Sequence, residues 1–313
     1  MNKKQIDWSL AESLRSRFLS ETPSKGGDYW ESEKLIALYD DTFAQRIGWK
    51  WDSVLEELLG KRKLTLPSVL VDWGAGTAIA SRRCLSTKEN KISHVHLRDR
   101  SPLVLAFAKK QIAQDFPNIA ITTHTREMEA PTEPFGLILS HVLGELTSAS
   151  KQSIQKLARQ AAIVLWVEPG TPELSRELIS FREELRAEYS IIAPCPHANQ
   201  CGLLAKGTER HWCHFFASPP QEVFHSAFWR EFSKRLRIDL RSLPVSFLAL
   251  QKPPIESRVT ESRMIGRARD YKGLVKALVC ESAGDVVERS FVKSKNRELC
   301  ERLLEGEFWT KFS

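Results

Sequence analysis

The hydrophobic pattern changes period twice along the chain. Through the first 66 residues apolar positions recur at helical spacing. Trp8 and Leu14 share a face of a segment predicted helical over 5–20. Leu35, Leu38, Tyr39 and Phe43 mark a second helix from about Glu31 to Ile47, and Leu55, Leu58 and Leu59 a third, beyond Trp49 and Trp51. SETPSKGG at 20–27 is loop by composition. From Val69 short apolar runs at 69–72, 94–99, 119–124, 135–141 and 162–170 alternate with helical segments at about 77–86, 101–116 and 150–161, and from Thr171 onward. Strands alternating with helices build a doubly wound, mainly parallel sheet, whose ligands sit beyond the carboxyl ends of its strands. PVSFLALQK (244–252) then reads as a further strand. The stretch 262–292 reads as antiparallel strands with turns near 270–273 and 282–285. This divides the chain into a helical extension over 1–66 and one α/β domain over 67–313.

Composition narrows the classes. The 313 residues are 42% hydrophobic and 27% charged, as in a globular protein and unlike a disordered one. No apolar run approaches the roughly 18 residues of a membrane span. MNKKQIDWSLAESLRSRF has no apolar core of the secretory kind. The expectation is a monomer with no membrane partner, cytoplasmic in a bacterial setting or in the mitochondrial matrix if a leader has been trimmed. Lys and Arg exceed Asp and Glu by 46 to 39, a net charge of +7, which leans towards a polyanionic partner such as RNA. Six cysteines without a secretory signal argue for metal ligands or free thiols over a disulfide framework.

The chemistry is densest around VLVDWGAGTAIASRR, Val69 to Arg83. A buried strand closes at Asp72. Gly74 and Gly76 allow a tight turn and close approach of a ligand. Thr77 is a candidate N-cap for the helix that follows, and a helix start behind a glycine turn suits a nucleotide. Asp99 ends the second strand, 23 residues after Gly76, where a carboxylate can accept both hydroxyls of a ribose. His141 and Glu145 follow the fourth strand as candidate catalytic groups. A glycine turn, an acidic second strand and terminal antiparallel strands resemble a class I S-adenosylmethionine-dependent methyltransferase. In such a site alignment of donor and acceptor supplies most of the rate effect, so no catalytic dyad is required.

A second constellation lies in IIAPCPHANQCGLLAKGTERHWCHF. Cys195, Cys201 and Cys213 fall within nineteen positions, and Cys280 follows in GLVKALVC. Thiolates gathered in one loop need a cation, so a metal-binding insertion over 193–216 is expected. Four cysteines hold either tetrahedral zinc or an iron–sulfur cluster, and His197, His211 and His214 leave a mixed zinc site open. Pro194-Cys195 resembles the nucleophile of RNA cytosine-5 methyltransferases. That dipeptide follows the fourth strand in those enzymes and the fifth unit here, so Cys195 reads as a ligand. Arg258, Arg263, Arg267, Arg269, Lys272 and Lys276 give the terminal strands an excess of four positive charges over Glu261 and Asp270, a candidate RNA surface.

Taken together, VDWGAGTA, SHVLGEL, VEPGTP, APCPHANQCGL, HWCHF and KALVC resemble the methyltransferase-like small-ribosomal-subunit assembly proteins of mitochondria and bacteria. The resemblance spans roughly 69–280, with a weaker match in YDDTFAQRIGWKWDSVL. It implies a Rossmann-like class I methyltransferase fold and S-adenosylmethionine at Asp72, Gly74, Gly76 and Asp99. It further implies a four-iron, four-sulfur cluster on Cys195, Cys201, Cys213 and Cys280, with zinc as the alternative. Small-subunit rRNA is the implied partner, through Arg263, Arg267, Arg269 and Lys272. The implied role is ribosome assembly or translation with methylation of rRNA, turnover itself being left open. The alternatives are methyl transfer to a small molecule or protein, and a non-catalytic RNA-binding scaffold.

Overall fold

The structure, a computed structural model, describes residues 6–19, 30–88, 90–252, 261–306 and 311–312. The 20–27 loop and Arg258 lie outside the described residues. Helices α1 (Trp8–Leu19), α2 (Glu33–Asp41) and α3 (Phe43–Leu55) come first, and α3 runs into a π-helical turn at Glu56–Lys61. The single helix expected to Ile47 is two. At the junction Thr42 leaves helical geometry, and its hydroxyl donates to the Leu38 carbonyl at 2.5 Å, satisfying a backbone acceptor that the next turn would have used. The second of these helices then carries both Trp49 and Trp51 inward, as buried residues.

Strands β1 (Val69–Trp73), β2 (His94–Arg98), β3 (Ala120–His124), β4 (Phe135–Ser140) and β5 (Ile163–Pro169) are parallel, with α4 (Ile79–Leu85), α5 (Pro102–Asp115) and α6 (Ser148–Ala158) among their connections. After β5 come α7 (Pro172–Leu185), β6 (Ser190–Ala193), β7 (Phe215–Ala217), α8 (Gln221–His225), α9 (Ala227–Leu236) and β8 (Leu243–Gln251). Strand order is β3-β2-β1-β4-β5-β8-β6, with β7 also paired to β8 and β8 antiparallel to β5. The pleat explains the double winding. Val69, Val71, Leu137, Leu139, Val164 and Trp166 face one core with α6 and α7, while Leu70, Ile138, Leu165 and Val167 face the other with α1–α5 and α9. No helix occupies 125–134, so the β3–β4 crossover departs from the strand–helix alternation.

A second sheet holds β9 (Ser262–Tyr271), β10 (Leu274–Cys280), β11 (Val286–Val292) and β12 (Lys311–Phe312) in the order β11-β10-β9-β12, with α10 (Arg297–Glu305) packed against it. Arg263 anchors this sheet to the rest. Its guanidinium is buried, makes a two-pronged ion pair with Glu57 of the π-helical turn at 2.5 and 2.7 Å, donates to the Pro194 carbonyl, and lies over the rings of Phe215 and Phe247. Among the described residues no helix is long and apolar enough to cross a membrane.

Candidate cofactor cleft and cysteine site

A cleft of about 240 Å3 opens at the carboxyl ends of β1, β2 and β4. Its floor is the loop after β1. Gly74 sits at φ +75° and Gly76 at +51°, and the Gly74 and Ala75 amides both donate to the Arg98 carbonyl, which ties the turn to β2. A Cβ on Gly74 would stand 2.5 Å from Val142 Cγ1, whereas one on Gly76 would meet nothing. The turn is therefore closed to a side chain at the first glycine and leaves empty space at the second, where the positive φ still disfavours one. Thr77 does not cap the helix: Ala78 takes the N-cap place in the left-handed region, and the buried Thr77 hydroxyl, in the cleft wall, has no hydrogen-bond partner. Ser101, at the N-cap place of α5, makes no side-chain cap bond. Its amide instead donates to Asp99 Oδ1.

Asp99 stands where the sequence placed it. Its Oδ2 accepts the Gly76 amide at 3.0 Å, its Oδ1 accepts Ser101, and the carboxyl lines the cleft. Burial raises its pKa against the lowering effect of those two amides. Each oxygen keeps a free lone pair for a ribose hydroxyl. Asp72 is elsewhere. It lies buried behind the turn and is no part of the cleft wall. It takes the Ser81 hydroxyl at 2.6 Å, and burial pushes its pKa up to about 6.

The wall beyond β4 carries His141 and Glu145, together with Ser140 and Val142. His141 sits at φ +55°, a strained position for a residue with a side chain. Desolvation by burial, then the charges of Lys50 and Arg46, holds its pKa well below the usual value. The imidazole is thus neutral and a weak base. Glu145 is at the exposed rim, with its pKa raised by desolvation against the wall.

Sequence reasoning passed over two residues here. Lys50 of α3 is buried with Nζ 3.5 Å from His141 Nε2, and burial brings its pKa down to about 7. Glu168, ending β5, is fully buried. Its Oε1 accepts the Val142 and Leu143 amides and the Trp166 indole N–H, and burial raises its pKa to about 7. The available signal was a carboxylate inside an otherwise apolar strand, and a lysine between two inward tryptophans. The N-terminal extension also supplies Trp30, just ahead of α2, and Tyr39 and Ile47 of its helices to the cleft.

Some distance along the chain, the cysteine loop folds against β9 and β10. Cys201 and Cys280 are buried in one small core that Cys213 also touches. The Cys195 thiol accepts Arg182 Nε at 3.2 Å and does not line the cleft. Arg182 is itself buried and donates to the carbonyls of His197 and Asn199. Burial, then the nearby thiols, raises the pKa of Cys201 to about 11 and those of Cys213 and Cys280 further. Of the three histidines, His197 is the one whose ring reaches a thiol, 3.4 Å from Cys280. His214 stacks on Trp212, and His211 lies beside Arg210. Among the described residues, no three Cys, His, Asp or Glu side chains stand in metal-holding geometry. Cys84 lies in the main core and Cys300 in the terminal one.

The basic strands divide. Arg263 is a correction to the expected RNA contacts, since burial against Glu57 removes it from the surface. Arg267 and Lys272 are exposed, and Arg269 pairs with Glu288.

Parallel β3-β2-β1-β4-β5 extended by an antiparallel β8, with a glycine loop after β1 and an acidic end to β2, defines a protein of the class I methyltransferase-like fold. The chain belongs to the family described as mitochondrial small ribosomal subunit Rsm22, which matches residues 49–311. Among solved structures it resembles the Pyrococcus horikoshii protein PH1948 at 15% identity, over 69% of this chain and 84% of that one, with a TM-score of 0.39. It also resembles magnesium protoporphyrin IX methyltransferase (ChlM) of Synechocystis PCC 6803 with bound SAH, at 12% identity over 79% and 99% and a TM-score of 0.40. A third is TYW2 of P. horikoshii in complex with MeSAdo, at 12% identity over 63% and 61% and a TM-score of 0.36. The fold class rests on this chain's own strand order and not on these likenesses. No curated protein matches the chain.

Proposed function

We propose that the chain binds S-adenosylmethionine in the cleft and small-subunit rRNA on its basic surface, and acts in assembly or translation of that subunit, with rRNA as the methyl acceptor. The observation that carries the cofactor assignment is the Asp99 carboxylate, fixed by the Gly76 and Ser101 amides with lone pairs left for a ribose. The unpartnered Thr77 hydroxyl and the open space at Gly76 fit a ligand lying along the same loop. The cofactor would supply an electrophilic methyl group. The chain's residues would hold it, with Trp30 and Tyr39 covering the cleft and neutral His141 offering a hydrogen-bond acceptor at the β4 side.

The four cysteines fit, by donor chemistry, a thiolate-bound iron–sulfur cluster, with zinc as the rival. Cys201, Cys213 and Cys280 meet in one small core, and Cys195 acts on them electrostatically from beside it. Arg182, buried at Cys195, supplies the positive charge that an anionic thiolate assembly needs. Cys195, Cys201, Cys213 and Cys280 would hold the group, which would tie the loop after α7 to β10.

Titration calorimetry with S-adenosylmethionine tests the cofactor reading. The parent should bind. Gly74→Val, which drives its side chain into Val142 from a positive φ, should not. No heat with the parent, or unchanged binding by the variant, removes the assignment.

A further inference from the structure

A groove is lined by α8, α9 and the turn into β8, with Arg230, Lys234, Arg237 and Arg241 around it. All four are exposed. Asp239 is the one carboxylate of the lining, and Arg241 already pairs with it at 2.9 Å. Among the described residues Arg230, Lys234 and Arg237 are paired with no carboxylate. The other α9 arginine, Arg235, is held by Glu231 and lies over Trp8, so the helix neutralises one cation and leaves the groove's own cations free. The floor is apolar, made by Val223, Trp229, Ile238 and Leu240, and Phe224 is 40% exposed beside it.

We infer that this groove is a second RNA-binding site, which takes a single-stranded segment with its phosphates on Arg230, Lys234 and Arg237 and a base against Phe224. The inference rests on the reading of the chain as an rRNA-binding protein and extends it to a surface on which the terminal strands have no part.

Two features favour a single strand over a duplex or an acidic protein. A cationic rim over an apolar floor with an exposed aromatic is the arrangement that binds unpaired nucleic acid, because phosphates and unstacked bases are both satisfied. A duplex offers phosphates alone to such a rim. The ladder that leaves the groove also runs to a cation of the terminal strands. Arg267 of β9, lying over Phe216 of β7 at 4.3 Å, acts electrostatically on Asp239. Phe216 pairs with Pro244 in the ladder that leads out of the groove. One polyanionic strand would satisfy both sets of cations, whereas an acidic protein segment would have to match them separately.

Fluorescence anisotropy with a labelled, unstructured RNA of about 12 nucleotides, within the span of single-strand sites, tests this. It is run beside a duplex of the same length over a salt series. The double variant Arg230→Glu, Lys234→Glu should bind the single strand at least about tenfold more weakly. Its slope of log affinity against log salt should flatten by about 1.4, at roughly 0.7 per lost single-strand phosphate contact. Phe224→Ser should weaken the single strand without altering that slope and leave the duplex unaffected. Both changes are at exposed positions, and an unchanged circular-dichroism melt confirms that the variants are folded. Unchanged affinity and slope in the double variant, while Arg267→Glu, Lys272→Glu weakens binding, overturns the groove and spares the rRNA reading. A parent that binds neither RNA overturns both. Equal binding of duplex and single strand, insensitive to Phe224→Ser, overturns the single-strand assignment. Capture of a poly-glutamate peptide by the parent but not by the double variant, in the absence of RNA binding, assigns the groove to an acidic protein.

Discussion

Glu168 shows how one residue shapes this cleft. Its carboxylate fixes the two amides that follow His141, so it sets the path of the β4 loop from beneath. Burial holds its pKa near 7 against an ordinary 4.5. Between those values the folded state binds more protons at this group than the unfolded state does, so its contribution to stability falls as pH rises. A gap of this size corresponds to roughly 3 kcal/mol, at about 1.4 kcal/mol per pKa unit. Glu168→Gln keeps an acceptor for the amides and removes the titration. Relative to the parent, the variant should therefore gain about 2–3 kcal/mol in unfolding free energy between about pH 4.5 and 7.5, measured by urea denaturation at both ends. A difference that stays constant with pH contradicts the buried, raised carboxyl. Comparing the two proteins cancels the histidines, whose lowered pKa values work in the opposite sense.

Single residues also mark what the sequence could reveal. Asp99 was legible because the offset from a glycine turn to an acidic strand end is a local property. Asp72 belonged to the same motif, yet the pleat turns it behind the loop. Arg263 was counted as a surface cation because its alternating neighbours do not disclose that Glu57, 206 positions away, comes to meet it.

Among elements, the five parallel strands were readable as apolar runs, and α7 as a helix opened by Thr171 and Pro172, with the Thr171 hydroxyl accepting the Leu174 amide. Short β6 and β7, and the paired helices α8 and α9, were not anticipated. The two strands of three and four residues carry too few periods to stand out, and their pairing to β8 is a tertiary fact. The cysteine loop shows the same limit: sequence gathered the cysteines but could not foresee Arg182 reaching across from α7. If the four thiols hold a cluster, anaerobically purified protein should carry about four irons, the content of a cubane, with broad visible absorption. Replacing any one cysteine by serine should abolish that colour and lower stability, while binding of S-adenosylmethionine at the distant cleft persists. Metal binding energy is folding energy in such sites. Stoichiometric zinc without iron decides for the rival, and neither metal removes the site.

At the scale of the whole molecule the parts are joined, not strung together. The N-terminal helices share a core with the sheet and α9, and their extension also contributes Trp30 and Tyr39 to the cleft. The Glu57–Arg263 pair fastens the same extension to the terminal sheet, with Pro194 of the cysteine loop bound to that guanidinium. The cleft, the cysteine loop and the terminal sheet therefore stand on one framework. Membership of a small-ribosomal-subunit family and a net charge of +7 give that framework a ribosomal setting. The most direct measurement is sedimentation of the full chain with purified small ribosomal subunits on sucrose gradients. At about 0.1 M salt the protein should travel with the subunit, and at about 0.5 M it should be released, as counterion release requires. Reversing Arg267 and Lys272 should shift it to the top of the gradient at the lower salt. A parent that remains at the top even at low salt, in the presence of S-adenosylmethionine, contradicts the account.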